Sequence, residues 1–231
     1  MSKTSILIPF QSSDPNRKKA FKWLLTYYKK MLPEAEICIG TLHQSTPCKA
    51  KAVNQAAKKA SGDIFVIIDA DILCSPTHIQ QSIQLLKHYP WVIPYKKVLD
   101  INKQSTSSLL ETKPTWPLSL SVKTSPRFSS SILPAGGINI LSKKCFYKVG
   151  GFDERFIGWG GEDDAFACAM DTLCGKHKRL NNSIYHLWHP TQRATGNSHY
   201  NENVLLARKY CKASGDIQEM KKIIKHSTNS Y

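Results

Sequence analysis

Two aspartates, Asp69 and Asp71, end an apolar run of the chain with one small residue between them. The run, IFVIIDAD from Ile64, is rich in β-branched and aromatic residues and predicts a strand buried on both faces. Because side chains alternate along a strand, both carboxylates would lie on the same side of its end. Two carboxylates so near to each other repel unless a cation neutralises them. Carboxylate oxygens are ligands that suit Mg²⁺ or Mn²⁺. The pair therefore predicts a divalent-metal site that could hold a diphosphate; the alternative is two solvated aspartates at a strand end.

A second acidic cluster, Glu162, Asp163 and Asp164, follows a Trp-Gly-Gly sequence. It would open a helix with Phe166 and Met170 on its buried face. Acidic residues at a helix start are common caps, so capping is the simpler explanation. Three consecutive acidic residues directly after Trp-Gly-Gly are more than helix capping requires. A carboxylate at this position could act as a general base and remove a proton from a hydroxyl group.

Two histidines, His186 and His189, lie three residues apart at the end of a predicted strand. A lone histidine is more often structural than a ligand. Either one could nevertheless complete an octahedral metal site together with Asp71. The sequence leaves open which of the two does so.

The elements that must position these groups begin as a β-α-β-α-β series, which is typical of a mostly parallel central sheet flanked by helices. The predicted strands are 5–10, 36–40, 64–71, 91–95 and 183–190, and the predicted helices are 17–31, 47–60, 75–88, a helix from 162, and two pieces over 201–225. Ligands on such α/β sheets collect at the carboxyl ends of the strands. Residues 97–134 carry little periodicity, and we interpret them as part of an acceptor site, a lid or a plain surface insertion.

Composition narrows the classes of protein. The 231 residues are 41% hydrophobic and 21% charged, which is enough apolar material for one globular domain. The net charge of +15 favours a polyanionic partner, such as nucleic acid, an anionic membrane surface or a phosphate-bearing glycan, and is equally compatible with a generic basic surface. Seven cysteines without a CxxC pair argue against a disulfide scaffold or zinc site and favour a reducing, cytoplasmic compartment. No stretch reaches the ~20 apolar residues of a membrane span, and the start does not resemble a signal peptide.

The motifs together resemble those of GT-A-fold glycosyltransferases. The closest likeness is to the carboxyl-terminal part of the beta-1,4-galactosyltransferases and to related bacterial and phage family 2-type transferases. It rests on IFVIIDAD, on GGINILSKKCFYKVGGFDERFIGWGGEDDAFA and on a later histidine, and it covers residues 5 to about 205. A DxD motif alone is weak evidence for this family, but a DxD motif followed by GWGGED is specific evidence for it. The resemblance implies one GT-A domain over 1–231, with a nucleotide-sugar-binding half at 1–96 and an acceptor and catalytic half at 135–200.

The resemblance also implies roles for individual residues. Asp163 matches the general base, and Asp71 would bind Mn²⁺ or Mg²⁺ with Asp69 near the ribose or the metal. His189 is preferred to His186 as a further metal ligand. The implied donor contacts are Pro9, Phe10, Lys51, Asn54, Asp69, Ala70 and Asp71, and the implied acceptor and donor contacts of the second half are Gly137, Trp159, Gly160, Gly161, Glu162 and Asp164.

Two departures from the family pattern concern the nucleotide. Many relatives carry an acidic residue after the second strand, where this chain has Thr41-Leu42-His43-Gln44. The usual Arg-Asn pair of the second helix is altered, and Lys51 and Asn54 are its nearest counterparts. UDP as the donor nucleotide therefore rests on analogy alone.

The expected reaction is sugar transfer from a nucleotide-diphosphate sugar, and this reaction has two chemical requirements. A divalent cation would stabilise the leaving diphosphate, and a carboxylate would take the proton of the attacking hydroxyl. In-line attack would invert the anomeric configuration. The acceptor could be a glycan, another polyanionic polymer or hydroxymethylated DNA bases. The alternatives are a basic nucleic-acid-binding protein without catalysis, for which no known motif is found, and a nucleotidyltransferase or phosphohydrolase, against which the Trp-Gly-Gly-Glu-Asp-Asp run argues.

Overall fold

The computed structural model describes residues 2–12, 14–42, 48–129, 131–158, 160–190 and 197–228. Its strands are β1 (Thr4–Pro9), β2 (Glu36–Gly40), β3 (Ile64–Ile68), β4 (Ile72–Leu73), β5 (Trp91–Ile93), β6 (Lys97–Ile101), β7 (Thr124–Pro126), β8 (Ile138–Ser142), β9 (Lys178–Arg179) and β10 (Ser183–His186). Its helices are α1 (Pro15–Met31), α2 (Lys49–Lys59), α3 (Pro76–Leu85), α4 (Lys103–Leu110), α5 (Lys143–Lys148), α6 (Glu162–Leu173), α7 (Tyr200–Lys212) and α8 (Ile217–Thr228).

The central sheet has the strand order β2-β1-β3-β8-β5-β9. Strand β1 pairs in parallel with β2 and β3, and β5 pairs in parallel with β9, whereas β8 runs antiparallel between β3 and β5. Strand β3 is buried on both faces, with Phe65, Val66, Ile67 and Ile68 at most 2% exposed. The predicted α/β class with a mostly parallel, helix-flanked sheet is confirmed. Strand β8 was not predicted, because its partners lie about fifty or more positions away in sequence and leave no local signal.

Helix α1 fixes the chain that follows the acidic tip of β3. It begins at Pro15, two residues before the predicted start at 17, since the side chain of Asp14 accepts a hydrogen bond from the Arg17 backbone N–H at 2.8 Å and Pro15 occupies the first turn. On its buried face, the hydroxyl of Tyr28 donates to the Ile72 carbonyl at 2.8 Å, and that of Tyr27 donates to the Cys74 carbonyl at 3.0 Å. The backbone just after Asp71 is thereby held in one position.

Residues 97–134 are more ordered than their composition indicated. They contain β6, α4 and β7, and β6 joins a second sheet of order β4-β10-β6-β7. The register of this small sheet aligns Ile72, His186, Asp100 and Ser125 across its four strands. The low periodicity of this stretch did not reveal these elements, because they are short and because β6 pairs both with β7, about 25 residues away, and with β10, more than eighty residues away.

The carboxyl-terminal helices pack on α6. Helices α7 and α8 are separated at Ser214-Gly215, as the sequence predicted, and Gly215 has a φ of 85° that favours glycine. The hydroxyl of Tyr210 on α7 donates to Asp153 at 2.9 Å. All seven cysteines are free thiols. Among the described residues, no helix combines the length and apolar character needed to span a bilayer.

Candidate active site

A pocket of about 550 Å³ opens where β1 and β3 end, facing the start of α6 and one edge of the small sheet. It collects most residues that the sequence singled out: Pro9, Phe10, Asp69, Ala70, Asp71, Gly137, Gly160, Gly161, Glu162, Asp163, Asp164, His186 and His189. Trp159 lies outside the described residues, as do His43 and Gln44. The two acidic clusters, which are about ninety positions apart in sequence, therefore line one cavity.

Asp71 lies at the centre of a possible metal site. Its Oδ2 atom is 3.1 Å from His189 Nε2 and 2.9 Å from Arg17 Nη2, and its Oδ1 atom is 3.8 Å from His186 Nε2. One ligand atom from each of Asp71, His186 and His189 lies within 4.8 Å of the others. Burial would raise the pKa of Asp71, but the hydrogen bond from His189 and the electrostatic interactions with His186 and Arg17 outweigh it, so that the pKa lies well below its usual range.

The donor set of this cluster fits a divalent cation. The Nδ1 atom of His189 faces the Pro190 carbonyl at 2.8 Å, and the Nδ1 atom of His186 faces Asp100 Oδ1 at 3.0 Å. Each ring can therefore donate its Nδ1–H to oxygen and turn Nε2 towards Asp71, as metal-binding histidines usually do. Two imidazoles and one carboxylate favour a transition ion such as Mn²⁺ over Mg²⁺. The structure groups both candidate histidines with Asp71, whereas Asp69 lies in a neighbouring cluster.

Lys49 joins the two acidic clusters. Its Nζ atom lies 2.8 Å from Asp69 Oδ1 and 2.7 Å from Asp163 Oδ1. Burial would lower the pKa of Lys49, but the charges of Asp163 and Asp69 outweigh it and raise the pKa well above its ordinary value. Burial also raises the pKa of both carboxyl groups, and Lys49 opposes that rise. One ammonium nitrogen thus holds an aspartate from the end of β3 against one from the start of α6.

The sequence pointed to Lys51 rather than Lys49 on α2. Successive residues of a helix are turned by about 100°, so two lysines two positions apart face opposite sides and only one can reach the pocket. Asn54 also lies elsewhere: its amide donates to the Phe152 carbonyl and to Glu154, each at 2.8 Å, and fixes a loop behind the helix. Neither Lys51 nor Asn54 lines the pocket in the described part of the chain, which corrects their expected place beside the donor.

The first turn of α6 presents its acids to the pocket, and none of them occupies the N-cap position. Gly161 is the N-cap residue, with a φ of 91° and no capping side chain. Glu162 is only 9% exposed, and its Oε2 atom accepts a hydrogen bond from the Gly160 N–H at 3.2 Å. Burial and the charge of Asp163 raise the pKa of Glu162 to about 7. The cluster therefore serves the pocket rather than the N-cap position, and among the described residues of the cluster only Glu162 also accepts a backbone N–H at the start of the helix.

Gly136 leaves room for the Asp163 carboxylate. A Cβ atom at this position would lie 2.2 Å from Asp163 Oδ2, closer than atoms can approach. The hydroxyl of Tyr95 donates to the carbonyls of Gly136 and Pro134, the latter at 3.1 Å. Arg179 also donates to the Pro134 carbonyl, at 3.0 Å. The backbone opposite Asp163 is thus fixed by side chains from beneath it.

One wall of the pocket is apolar and open. It is formed by Phe128, Ile132 and Leu133, which are 38%, 51% and 50% exposed. Large exposed apolar side chains that border a cavity are typical of ligand contacts. The wall belongs to residues 97–134, where the sequence indicated an acceptor site or lid. Several polar residues at or near the pocket were not singled out from the sequence, among them Arg17, Lys49, Tyr95, Asp100 and Arg127.

Sequence comparison matches two family models to overlapping parts of the chain. "Glycosyl transferase family 2" matches residues 26–139, and "N-terminal domain of galactosyltransferase" matches residues 121–191. Human Beta-1,4-galactosyltransferase 4 is 27% identical over 173 residues, which are 71% of this chain and 41% of the human protein. The chain thus spans less than half the length of that relative.

Solved structures share the fold at low sequence identity. The catalytic domain of Drosophila beta1,4galactosyltransferase 7, in complex with xylobiose, superposes with a TM-score of 0.54 at 18% identity and covers 91% of this chain and 81% of its own. Glucosyl-3-phosphoglycerate synthase from Mycobacterium tuberculosis, in complex with Mn²⁺, uridine diphosphate and glucosyl-3-phosphoglycerate, superposes with a TM-score of 0.53 at 13% identity, covering 91% and 80%.

Proposed function

We propose that this chain, which matches glycosyltransferase family models and shares the fold of solved glycosyltransferases, transfers a sugar from a nucleotide-diphosphate sugar to an acceptor hydroxyl with the help of one divalent cation. The observation that carries the proposal is the shared pocket, in which the cluster of Asp71, His186 and His189 lies beside Asp163. One group suits a cation that holds a diphosphate, and the other suits removal of a proton. Sugar transfer needs both in one place.

Asp71, His186 and His189 would hold the cation, which we propose to be Mn²⁺. A bound cation supplies positive charge that stabilises the leaving diphosphate. Arg17 adds a second positive charge at the same edge, since its guanidinium lies 2.9 Å from Asp71. Pro9, Phe10 and Ala70 complete this side of the pocket and would contact the nucleotide.

Asp163 is the proposed general base. Its carboxylate faces the cavity, and burial raises its pKa, which makes it a better proton acceptor than a solvated aspartate. Lys49 pairs with it in the ligand-free protein and opposes the effect of burial on its pKa. Glu162, Asp164 and the two glycines before them would contact the sugar and the acceptor. With the base and the leaving diphosphate in separate clusters, we expect attack in line with departure and hence inversion at the anomeric carbon.

UDP is the proposed donor nucleotide and a glycan the proposed acceptor. The mycobacterial synthase that shares this fold was solved with uridine diphosphate, and the Drosophila enzyme with xylobiose. The apolar wall of Phe128, Ile132 and Leu133 suits the C–H face of a sugar ring or an apolar aglycone. Nothing in the pocket or among the relatives described above supports a nucleic-acid acceptor.

Donor binding can be tested by thermal shift with UDP-, GDP- and CDP-sugars, in Mn²⁺ and in EDTA. A ligand that binds the folded state raises the melting temperature by mass action. We expect stabilisation by a UDP-sugar in Mn²⁺, loss of that effect in EDTA and recovery when Mn²⁺ is restored. Stabilisation that persists unchanged in EDTA would contradict the metal site.

The base can be tested with Asp163→Asn. We expect donor binding to persist while turnover falls by roughly 10²- to 10⁴-fold, the usual contribution of a general base. Asp63→Asn, at an exposed position, is the matched control and should leave turnover unchanged. Near-normal turnover of Asp163→Asn would remove this residue from the mechanism.

A further inference from the structure

Asp100 and Arg127 lie directly behind one of the proposed metal ligands. Strand β6 pairs in parallel with β10, and Asp100 is the register partner of His186. Its Oδ1 atom is 3.0 Å from His186 Nδ1 and also accepts a hydrogen bond from Arg127 Nη1 at 2.9 Å. Arg127 follows β7, and its backbone N–H donates to the Val98 carbonyl of β6 at 2.9 Å. The small sheet therefore builds a row that runs from Arg127 through Asp100 to His186.

This row determines which ring nitrogen of His186 is available to bind a metal ion. A carboxylate can only accept from the ring, so Asp100 selects the tautomer that carries its hydrogen on Nδ1. The lone pair is then on Nε2, which lies 3.8 Å from Asp71 Oδ1. In His189, the group that faces Nδ1 is a backbone carbonyl, that of Pro190. Of the two rings, His186 is therefore the one oriented by a side chain that substitution can remove.

Arg127 has a separate task in this row. The Asp100 side chain is 37% exposed, so water competes for its oxygens. A charge-assisted hydrogen bond from a guanidinium limits the rotation of the carboxylate and keeps Oδ1 turned towards the ring. Arg127 itself is tied to β6 through its backbone, which fixes the start of its side chain.

We propose that Asp100 is a positioning residue that orients His186 for a divalent cation, and that Arg127 supports it. This inference rests on the proposed function, since it takes the cluster around Asp71 as a metal site. Outer carboxylates of this kind typically contribute 10- to 100-fold to metal affinity, because they fix the ring and increase the electron density on the ligating nitrogen.

The test is a titration of the purified full chain with Mn²⁺, in which electron paramagnetic resonance measures the free ion. We expect Asp100→Ala to weaken Mn²⁺ binding by roughly 10- to 100-fold. Asp100→Asn should weaken it less, since an amide oxygen can still accept from Nδ1, and Arg127→Gln should weaken it several-fold. Asp63→Asn and Arg208→Gln are matched controls at exposed positions and should bind Mn²⁺ like the parent protein.

A double-mutant cycle separates positioning from a general loss of structure. In a His186→Ala background, Asp100→Ala should cause no further loss of Mn²⁺ affinity, because the ring through which it acts is gone. Melting temperatures in EDTA should differ little between Asp100→Asn and the parent protein. Equal losses in both backgrounds, or unchanged affinity in Asp100→Ala, would overturn the inference while leaving the metal site in place. Failure of the parent protein to bind Mn²⁺ would instead overturn the metal site and the inference together.

Discussion

Replacement of Glu162 by glutamine should make the protein more stable at alkaline pH. Glu162 is buried at the start of α6, and burial with the charge of Asp163 raises its pKa from 4.5 to about 7. A raised pKa means that the folded state binds the proton more tightly than the unfolded state. The contribution of this group is therefore complete below about pH 4.5 and is lost as the pH rises through about 7.

The magnitude follows from the size of the shift. One pKa unit corresponds to about 1.4 kcal/mol, so ionisation of Glu162 costs the folded state roughly 3 kcal/mol by pH 8. Glutamine keeps the shape and an oxygen that can accept from Gly160, but it never ionises. Relative to the parent protein, Glu162→Gln should therefore gain roughly 2.5 kcal/mol of unfolding free energy between pH 5 and pH 8, since a small part of the effect is already present at pH 5.

Urea unfolding at several pH values measures this difference directly. Glu34→Gln, at an exposed position, serves as the control and should shift unfolding free energies equally at all pH values. If the stability difference between Glu162→Gln and the parent protein were independent of pH, or grew towards acid, the electrostatic account of the pocket would be refuted.

Three further substitutions test other contacts of the pocket. Lys49→Met removes the ammonium shared by Asp69 and Asp163, and we expect a loss of roughly 3 kcal/mol in urea unfolding at pH 8. The loss should become smaller as the pH falls, because protonation of the two carboxyl groups, whose pKa values are raised by burial, removes the negative charges that Lys49 neutralises. Gly136→Ala would displace the Asp163 carboxylate and disturb its pairing with Lys49; kinetics should show at least about a tenfold lower kcat, and the melting temperature should fall as well. His189→Ala should weaken Mn²⁺ binding by roughly tenfold or more in calorimetry.

Local patterns in the sequence were sufficient for the elements that carry the chemistry. Five apolar residues before Asp69 predicted β3, and the 3.6-residue period predicted α1 and α6, because burial of a strand or of one helix face is recorded in neighbouring residues. The acidic pair at the end of β3 and the acids at the start of α6 were recognised for the same reason. The sequence motifs also favoured an enzyme over a basic nucleic-acid-binding protein. The matches to glycosyltransferase family models and the shared fold agree with that prediction.

What the sequence alone determined is therefore the type of fold, the identity of the two acidic clusters and the chemistry they suggest. Only the tertiary structure decided which basic side chains face the two acidic clusters and which carboxylate lies behind His186. Arg17 meets Asp71 across 54 positions, and Lys49 meets Asp163 across 114. Asp100 reaches His186 through the register of two strands that are distant in the chain. The physical reason is that a charged side chain on a helix or strand carries no local mark of its partner, whose position depends on non-local strand pairing and helix packing.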